Sequence, residues 1–386
     1  LRAAIDEALR SESLERSRRR RIDANLPLVR TVLAIDDDRH DHREPDFARI
    51  SHLLEVGARD LETRGTRDAA WIGHAPDALR ARQYLEEARE TLSRWWAFHL
   101  GYHPEANWWC SVPVARALSA LETGAKALET STGDGLTGDP IGEQGILQGL
   151  ARHRVDIGPD ELVAAARREM EHCLNRLREA ARELGCPDPR AAIEQVKDTF
   201  VSPGEQPRVV NELAAEAIAW VEKHDMITVD PIAKETWRMT MISAESQRTN
   251  PFFLGGECIH VSYPTSDMDD ERKRMSLRGN NPAFSRATVQ HELIPGHHLQ
   301  QFHERRSRPY RGLFATPFWI EGWTLHWEML LWDRGFPRTP EERIGMLFWR
   351  LHRCARILFS IDFHRGRMTG PECVDYLVDR AFHERA

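Results

Sequence analysis

The sequence predicts a mainly α-helical, bundle-like protein with one small β-sheet. Three observations carry that prediction. Residues 1–225 run as successive amphipathic segments with apolar residues at three- and four-residue steps. Those segments are bounded by proline, acidic residues and glycine placed as helix starts and stops. Two short β-branched runs stand just ahead of a cluster of histidines and glutamates.

In chain order, the basic run RSRRRR at 16–21 is bracketed by Glu12, Glu15 and Asp23, which makes it a solvated helix face. Clear helices are expected at 78–100, 113–130, 159–185 and 208–225. In the third, Leu162, Ala166, Met170, Cys173, Leu174 and Leu177 form one face, Pro159-Asp160-Glu161 suits the N-terminal pole, and Gly185 follows the last turn. STGDGLTGDPIGEQG (131–145) and SPGEQP (202–207) read as loops. The GDGLTGD piece at 133–139 lacks the acidic spacing of a calcium loop and is read as a turn. MITVDP (226–231) and GECIHVSYPT (256–265) are the expected strands, followed by helices at about 317–334, 340–360 and 370–384. The texture change at Asp225 divides an N-terminal helical region (1–225) from a region bearing the chemistry (226–386).

Composition narrows the class. A formal charge of −7 and a pI near 6.2 argue against a nucleic-acid-binding surface. The six cysteines form no CxxC and read as buried small hydrophobes. No apolar run reaches the roughly 18–20 residues that span a bilayer. No signal peptide is visible, but the chain opens inside a helical pattern and stops at AFHERA without a cap, so both ends read as cut. Cytoplasmic and exported locations both stay open.

The chemistry centres on QHELIPGHHLQQ (290–301). His291-Glu292 begins the H-E-x-x-H pattern, in which two histidines one turn apart bind zinc and the glutamate faces the metal's water. Pro295 holds the place of the second histidine, and His297 and His298 follow. On a straight helix His297 would lie about 9 Å along the axis and about 120° around it, and His298 about 10.5 Å away. Pro295 breaks that geometry, because its ring collides with the carbonyl of His291 and it lacks an amide donor. Gly296 supplies unusual dihedrals. A bent or bulged helix could then return either histidine to a metal. In FWIEGWTLHWEMLLW (318–332), Glu321 and Glu328 are costly to bury without a cation or hydrogen-bond partners. Glu321, two dozen residues after His297, is the natural third ligand, and Glu328 an orienting or substrate-binding group. Trp319, Trp323 and Trp327 are expected to pack in the core. His99 and His103 form an H-x3-H pair with no adjacent glutamate and are not expected to hold metal.

His291-Glu292-x-x-Pro295-Gly296-His297-His298-x-Gln300 followed by Glu321-Gly322-Trp323-x-Leu325 resembles the bacterial family catalogued as domain of unknown function 885. The resemblance covers roughly 140–386, and its members are usually longer. That family is similar in turn to helical gluzincin metallopeptidases, which implies a large helical gluzincin architecture with a small sheet by the metal. It also implies Zn²⁺ held by His291, His297 and Glu321, the spacing to Glu321 favouring His297 over His298. Glu292 would be general base and then acid, acting on short peptides or small amides. His364 is the candidate oxyanion donor, Arg353 and Arg356 candidates for a substrate carboxylate, and GECIHVSYPT the candidate edge strand for an extended substrate. Two rivals remain: a hydrolase of non-peptide amides or esters, and a helical scaffold whose His/Glu cluster is a metal-free core network.

Overall fold

The computed structural model describes residues 2–67, 72, 75–131, 138–247, 250 and 252–385. The architecture is mainly α with one small two-stranded sheet. Among the described residues no helix is long and apolar enough to cross a membrane.

The chain forms two compact units, Leu1–Pro140 with Thr369–Pro371, and Ile141–Met368 with Glu372–Ala386. The change of texture at 225 is therefore not where the packing divides. The helices between 141 and 225 carry apolar faces that are buried with the histidine-bearing region.

The first unit holds α1 (Arg2–Asp23), α2 (Pro27–His40), α3 (Phe47–Arg67), α4 (Ala75–His99) and α5 (Pro104–Ser131). Pro27 opens α2, where its missing amide costs nothing, and Asp46 accepts the amide of Arg49 to start α3. α3 and α4 pack on α5, and α2 on α3 and α4, around Leu54, Leu85, Leu92, Trp95, Leu121 and Leu128.

The second unit begins with α6 (Gly142–Arg152), α7 (Pro159–Glu183), α8 (Pro189–Lys197), α9 (Gln206–Lys223) and α10 (Pro231–Thr236). α6 starts inside the loop expected at 131–145, and the turn at 133–139 lies mostly outside the described residues. β1 (Arg238–Met241), α11 (Ala244–Gln247) and β2 (Cys258–Val261) follow, with β1 and β2 parallel and Arg238 opposite Cys258. GECIHVSYPT thus contains a strand, whereas MITVDP does not. Asp230 caps α10 by accepting the amide of Ile232, and Pro231 fits the helix start, so that run ends as a helix entry.

α12 (Asp270–Gly279), α13 (Pro282–Glu292), α14 (His297–Arg306), a 3₁₀ turn (Pro309–Phe314), α15 (Pro317–Asp333), α16 (Pro340–His364) and α17 (Gly370–Ala381) complete the unit. α13 is buried along almost its whole length and packs against α9, α15 and α16. Phe284 of α13 stacks on Phe348 of α16 at 4.2 Å, and the Trp349 indole donates to the Phe284 carbonyl at 3.2 Å. Arg286 is buried on α13 between Glu216 (2.7 Å) and Glu342 (2.8 Å). Polar groups on so enclosed a helix are costly unless paired, as Arg286 is; Gln290, also buried there, has no side-chain partner among the described residues. α13 delivers His291 and Glu292 into that interior. The six cysteines are free, and four of them are buried.

Candidate metal centre

Asn281 starts α13 by accepting the Phe284 amide at 3.0 Å, and His291 and Glu292 occupy its last turn. Residues 293–296 then leave the helix, with a cis bond between Ile294 and Pro295, and α14 starts at His297. The segment is a full break between two helices, more than the bulge that a single proline would impose. Its hydrogen bonds show how the two extra residues are absorbed. The Gly296 amide donates to the Gln290 carbonyl (3.0 Å) and the Leu299 amide to that of Leu293 (3.3 Å), each reaching six residues back instead of the helical four. A residue six positions on thereby takes the place that i+4 holds in a regular helix. The ring centres of His291 and His297 are 4.9 Å apart. Gly296 is required here, because a Cβ on it would drive into the carbonyl of His291.

α15 supplies the carboxylates. Glu321 Oε2 lies 3.4 Å from His291 Nε2, and its Oε1 lies 3.6 Å from His297 Nε2. Both separations exceed a charge-assisted hydrogen bond. They match the spacing of about 3.3 Å between donors that share a tetrahedral ion at about 2.0–2.1 Å. One donor atom from each of His291, Glu292 and His297 also falls within a 4.8 Å cluster, and Glu292 Oε2 is 3.9 Å from His297 Nε2. By spacing and donor type the residues fit a zinc ion. The Glu321 side chain is 63% exposed and stands at the mouth, whereas His291, Glu292 and His297 are buried.

Glu328, two turns beyond Glu321, is 5% exposed and takes His291 Nδ1 at 2.6 Å. Arg353 of α16 donates Nη2 to the same carboxylate oxygen at 2.6 Å and lies 3.3 Å from His291 Nδ1. This carboxylate fixes the His291 ring so that Nε2 faces Glu321. Trp323 donates its indole N–H to the Pro295 carbonyl at 2.9 Å, tying α15 to the break. The tryptophan stripe runs outward: Trp327 is buried, Trp323 half-buried and Trp319 56% exposed, so the stripe is core packing only at its inner end.

The charges are strongly coupled. Burial raises the Glu292 carboxyl to about 7, with Glu321 and Glu328 adding to it against the pull of His291. Burial disfavours the His291 imidazolium, but Glu321 and Glu328 outweigh it and push the ring up to about 9. Burial and the charge of His291 hold His297 below the usual histidine range. Glu321 is held low chiefly by His291. Burial works against the Glu328 anion, yet Arg353 and His291 keep it low.

The other sequence candidates fall elsewhere. His298 directs both ring nitrogens at backbone carbonyls, Nε2 to Ala233 (3.0 Å) and Nδ1 to Glu257 (3.2 Å), away from the other donors. Its place one residue after His297 turns it to a different face of α14. His364 ends α16, three turns or about 16 Å beyond Arg353, and is not brought to the centre. Arg356 is exposed one turn from Arg353, which is itself engaged with Glu328 rather than free for a substrate carboxylate.

Sequence reasoning missed Gly255. A Cβ there would strike Glu292 Oε2, so the Gly255 backbone lies directly on the Glu292 side chain. The Gly-Gly pair at 255–256 was the available signal. Leu254 bridges His260 on the flank of β2 opposite β1, with amide–carbonyl bonds of 3.0 and 2.7 Å. β2 is therefore paired on its outer flank at His260, and the backbone beside Glu292 is that of Gly255, just ahead of the expected edge strand.

Two solved structures share the fold. A chain of unknown function from Shewanella oneidensis, designated a lipoprotein, superposes with a TM-score of 0.68 at 19% identity, covering 99% of this chain and 74% of that one. A chain from Colwellia psychrerythraea with the same designation gives 0.52 at 13% identity, covering 86% of this chain and 61% of that one. No curated protein sequence matches. The family described as bacterial protein of unknown function (DUF885) matches residues 113–386, a span that contains every donor at the centre, and the chain belongs to that family.

Proposed function

We propose that the protein is a zinc-dependent hydrolase acting on short peptides or related small amides. The observation that carries this is that the two Glu321 oxygens lie 3.4 Å from His291 Nε2 and 3.6 Å from His297 Nε2, with a Glu292 donor atom clustered with both histidines.

Zinc held there by His291, His297 and Glu321 would supply a Lewis acid that acidifies water and polarises a carbonyl. Glu292 takes the proton from the attacking water as its oxygen bonds to the carbonyl carbon. It returns that proton to the nitrogen as the C–N bond breaks. Burial raises its proton affinity, which favours taking up the water's proton. Glu328 holds the His291 tautomer and ring plane. Arg353 holds Glu328 through Nη2 and lies 3.3 Å from His291 Nδ1, so its charge supports the Glu328 anion that orients His291. Phe318, 59% exposed and three residues before Glu321, offers an apolar surface for a substrate side chain.

A second reading has its own observation: Glu328, His291 and Arg353 satisfy one another without a metal, as a structural core network would. Metal content separates the two. Protein purified without added metal should carry about one zinc per chain, lost in His297→Ala and retained in His298→Ala. A wild type that takes up no zinc when offered it leaves only the structural network. A panel of short peptides, non-peptide amides and esters, run with and without chelator, then identifies the bond cleaved.

A further inference from the structure

The connection from α14 to α15 is exposed at every residue from 305 to 314. A surface loop of that kind is ordinarily polar. Here it carries Tyr310, Leu313 and Phe314, which are 57%, 77% and 47% exposed. A run of exposed residues this long projects from the body, and a projection is not the concave pocket that a small ligand requires.

Its backbone is held in one shape. Arg308 takes a left-handed conformation at φ 81°, Pro309 follows with its fixed φ, and the Arg311 amide donates to the Arg308 carbonyl at 3.0 Å. In a 3₁₀ turn, side chains three residues apart stand over one another. Tyr310 and Leu313 therefore share one edge, and Arg311 and Phe314 a second. The third edge holds Pro309 and Gly312. It rests toward α14, because a Cβ on Gly312 would meet the Glu304 carboxylate at 3.5 Å. The apolar edge and the mixed edge are the two that face outward.

The charge here is opposite to that of the whole. The chain carries −7, yet residues 304–311 hold four arginines against one glutamate. Arg305 is paired with Glu257, and Arg306 stacks over Phe302 at 3.8 Å. Arg308 and Arg311 are exposed and make no ion pair among the described residues. Uncommitted cations beside large exposed apolar side chains match a surface that is anionic outside and apolar just beneath, which is the headgroup boundary of a bilayer. Nucleic acid would engage the arginines and leave Leu313 in water. A folded protein would need a groove shaped to the turn, whereas a bilayer yields to it.

We propose that this turn docks the protein on the surface of a bilayer rich in anionic phospholipid. Leu313 and Phe314 enter the acyl boundary, Tyr310 sits at headgroup level, and Arg308 and Arg311 meet the phosphates. Docking of this kind needs no membrane-crossing helix. It is independent of the reading given to the candidate metal centre.

Co-sedimentation of the full chain with vesicles of one part phosphatidylglycerol to two parts phosphatidylcholine tests this, with pure phosphatidylcholine vesicles as comparison. Saturable binding to the anionic vesicles is expected, at least tenfold weaker on phosphatidylcholine alone and weakened by added salt. Leu313→Ser/Phe314→Ser and Arg308→Gln/Arg311→Gln change only exposed side chains. Each double variant should weaken binding at least tenfold while the melting temperature stays unchanged. Leu313→Trp should bind at least as tightly as the wild type, because a bilayer accepts a larger apolar group that a fitted protein pocket rejects. No binding to the anionic vesicles overturns the proposal, as does equal binding to both lipids or binding indifferent to either double variant. Self-association that Leu313→Ser/Phe314→Ser abolishes, with no vesicle binding, also overturns it and gives the turn to a second copy of the chain.

Discussion

Replacing Glu328 by glutamine tests how the interior of α15 controls the candidate metal centre. Glu328 is 5% exposed and accepts both His291 Nδ1 and Arg353 Nη2 at 2.6 Å. The amide keeps the shape and one acceptor but loses the charge. Loss of a carboxylate that orients a histidine ligand costs about 10–100-fold in metal affinity, about 1.4–2.7 kcal/mol. A second effect has the opposite sign. Glu328 is one of the carboxylates that raise His291 to about 9, so at pH 7 a proton competes with the metal for that ring. Without the carboxylate the ring gives up its proton more readily, which offsets part of the loss at neutral pH. Competition titration against a chromophoric chelator should therefore show Glu328→Gln weakened by about 10–100-fold at pH 8.5 and by visibly less at pH 7. Stability without metal should fall by about 2 kcal/mol, less than the 3–5 of a fully buried pair because the Arg353 side chain is 27% exposed. Unchanged affinity at pH 8.5, or a larger deficit at pH 7, would refute this account of the His291–Glu328 pair.

Four further outcomes follow from the same geometry. Because the metal-free His291 ring titrates at about 9, zinc uptake at pH 7 should release a proton and tighten as pH rises toward 9, which calorimetry in buffers of different ionisation enthalpy measures directly. Gly255→Ala sets a methyl group against Glu292 Oε2, so zinc content should persist while hydrolysis of any peptide found in the screen drops by about 10²-fold or more. Gly296→Ala forces a methyl group into the His291 carbonyl; the soluble yield or melting temperature should fall sharply, and any folded protein should lack zinc. Burial and the neighbouring His383 hold His352 down to about 3, and burial and Lys197 hold His383 down to about 4, with the two rings bonded at 2.9 Å. Both prefer the neutral form in the fold, so stability is full above pH 6.5 and is lost as pH falls from there toward 4 for His383 and toward 3 for His352, by at most about 1.4 kcal/mol per pH unit per ring. His352→Gln should flatten that part of a pH–melting curve.

The sequence by itself determined what depends on local rules. Helical periodicity and end signals placed α4, α7, α9, α15 and α16 within a few residues, because each buries one continuous face and carries its own start and stop residues. The donor types were equally legible: His291 and Glu292 adjacent on one helix and Glu328 buried in an apolar one, where a carboxylate needs a partner, whereas Glu321 on that helix is 63% exposed and its burial was not borne out. MITVDP misled because a β-branched run carries no record of the cap that follows it, and Asp230-Pro231 turned it into a helix entry.

Tertiary structure alone decided the rest. Whether His297 or His298 joins His291 depends on backbone bonds reaching six residues back across 293–296, a geometry that no helical period encodes. Arg353 became a partner of Glu328, and His364 was left three turns away, because α16 passes α13 at one place along its length. Gly255 gains its meaning only where a distant loop lies on Glu292. Spacing along a chain fixes which residues share a helix face, but the crossing point of two helices is set by the packing of side chains on both.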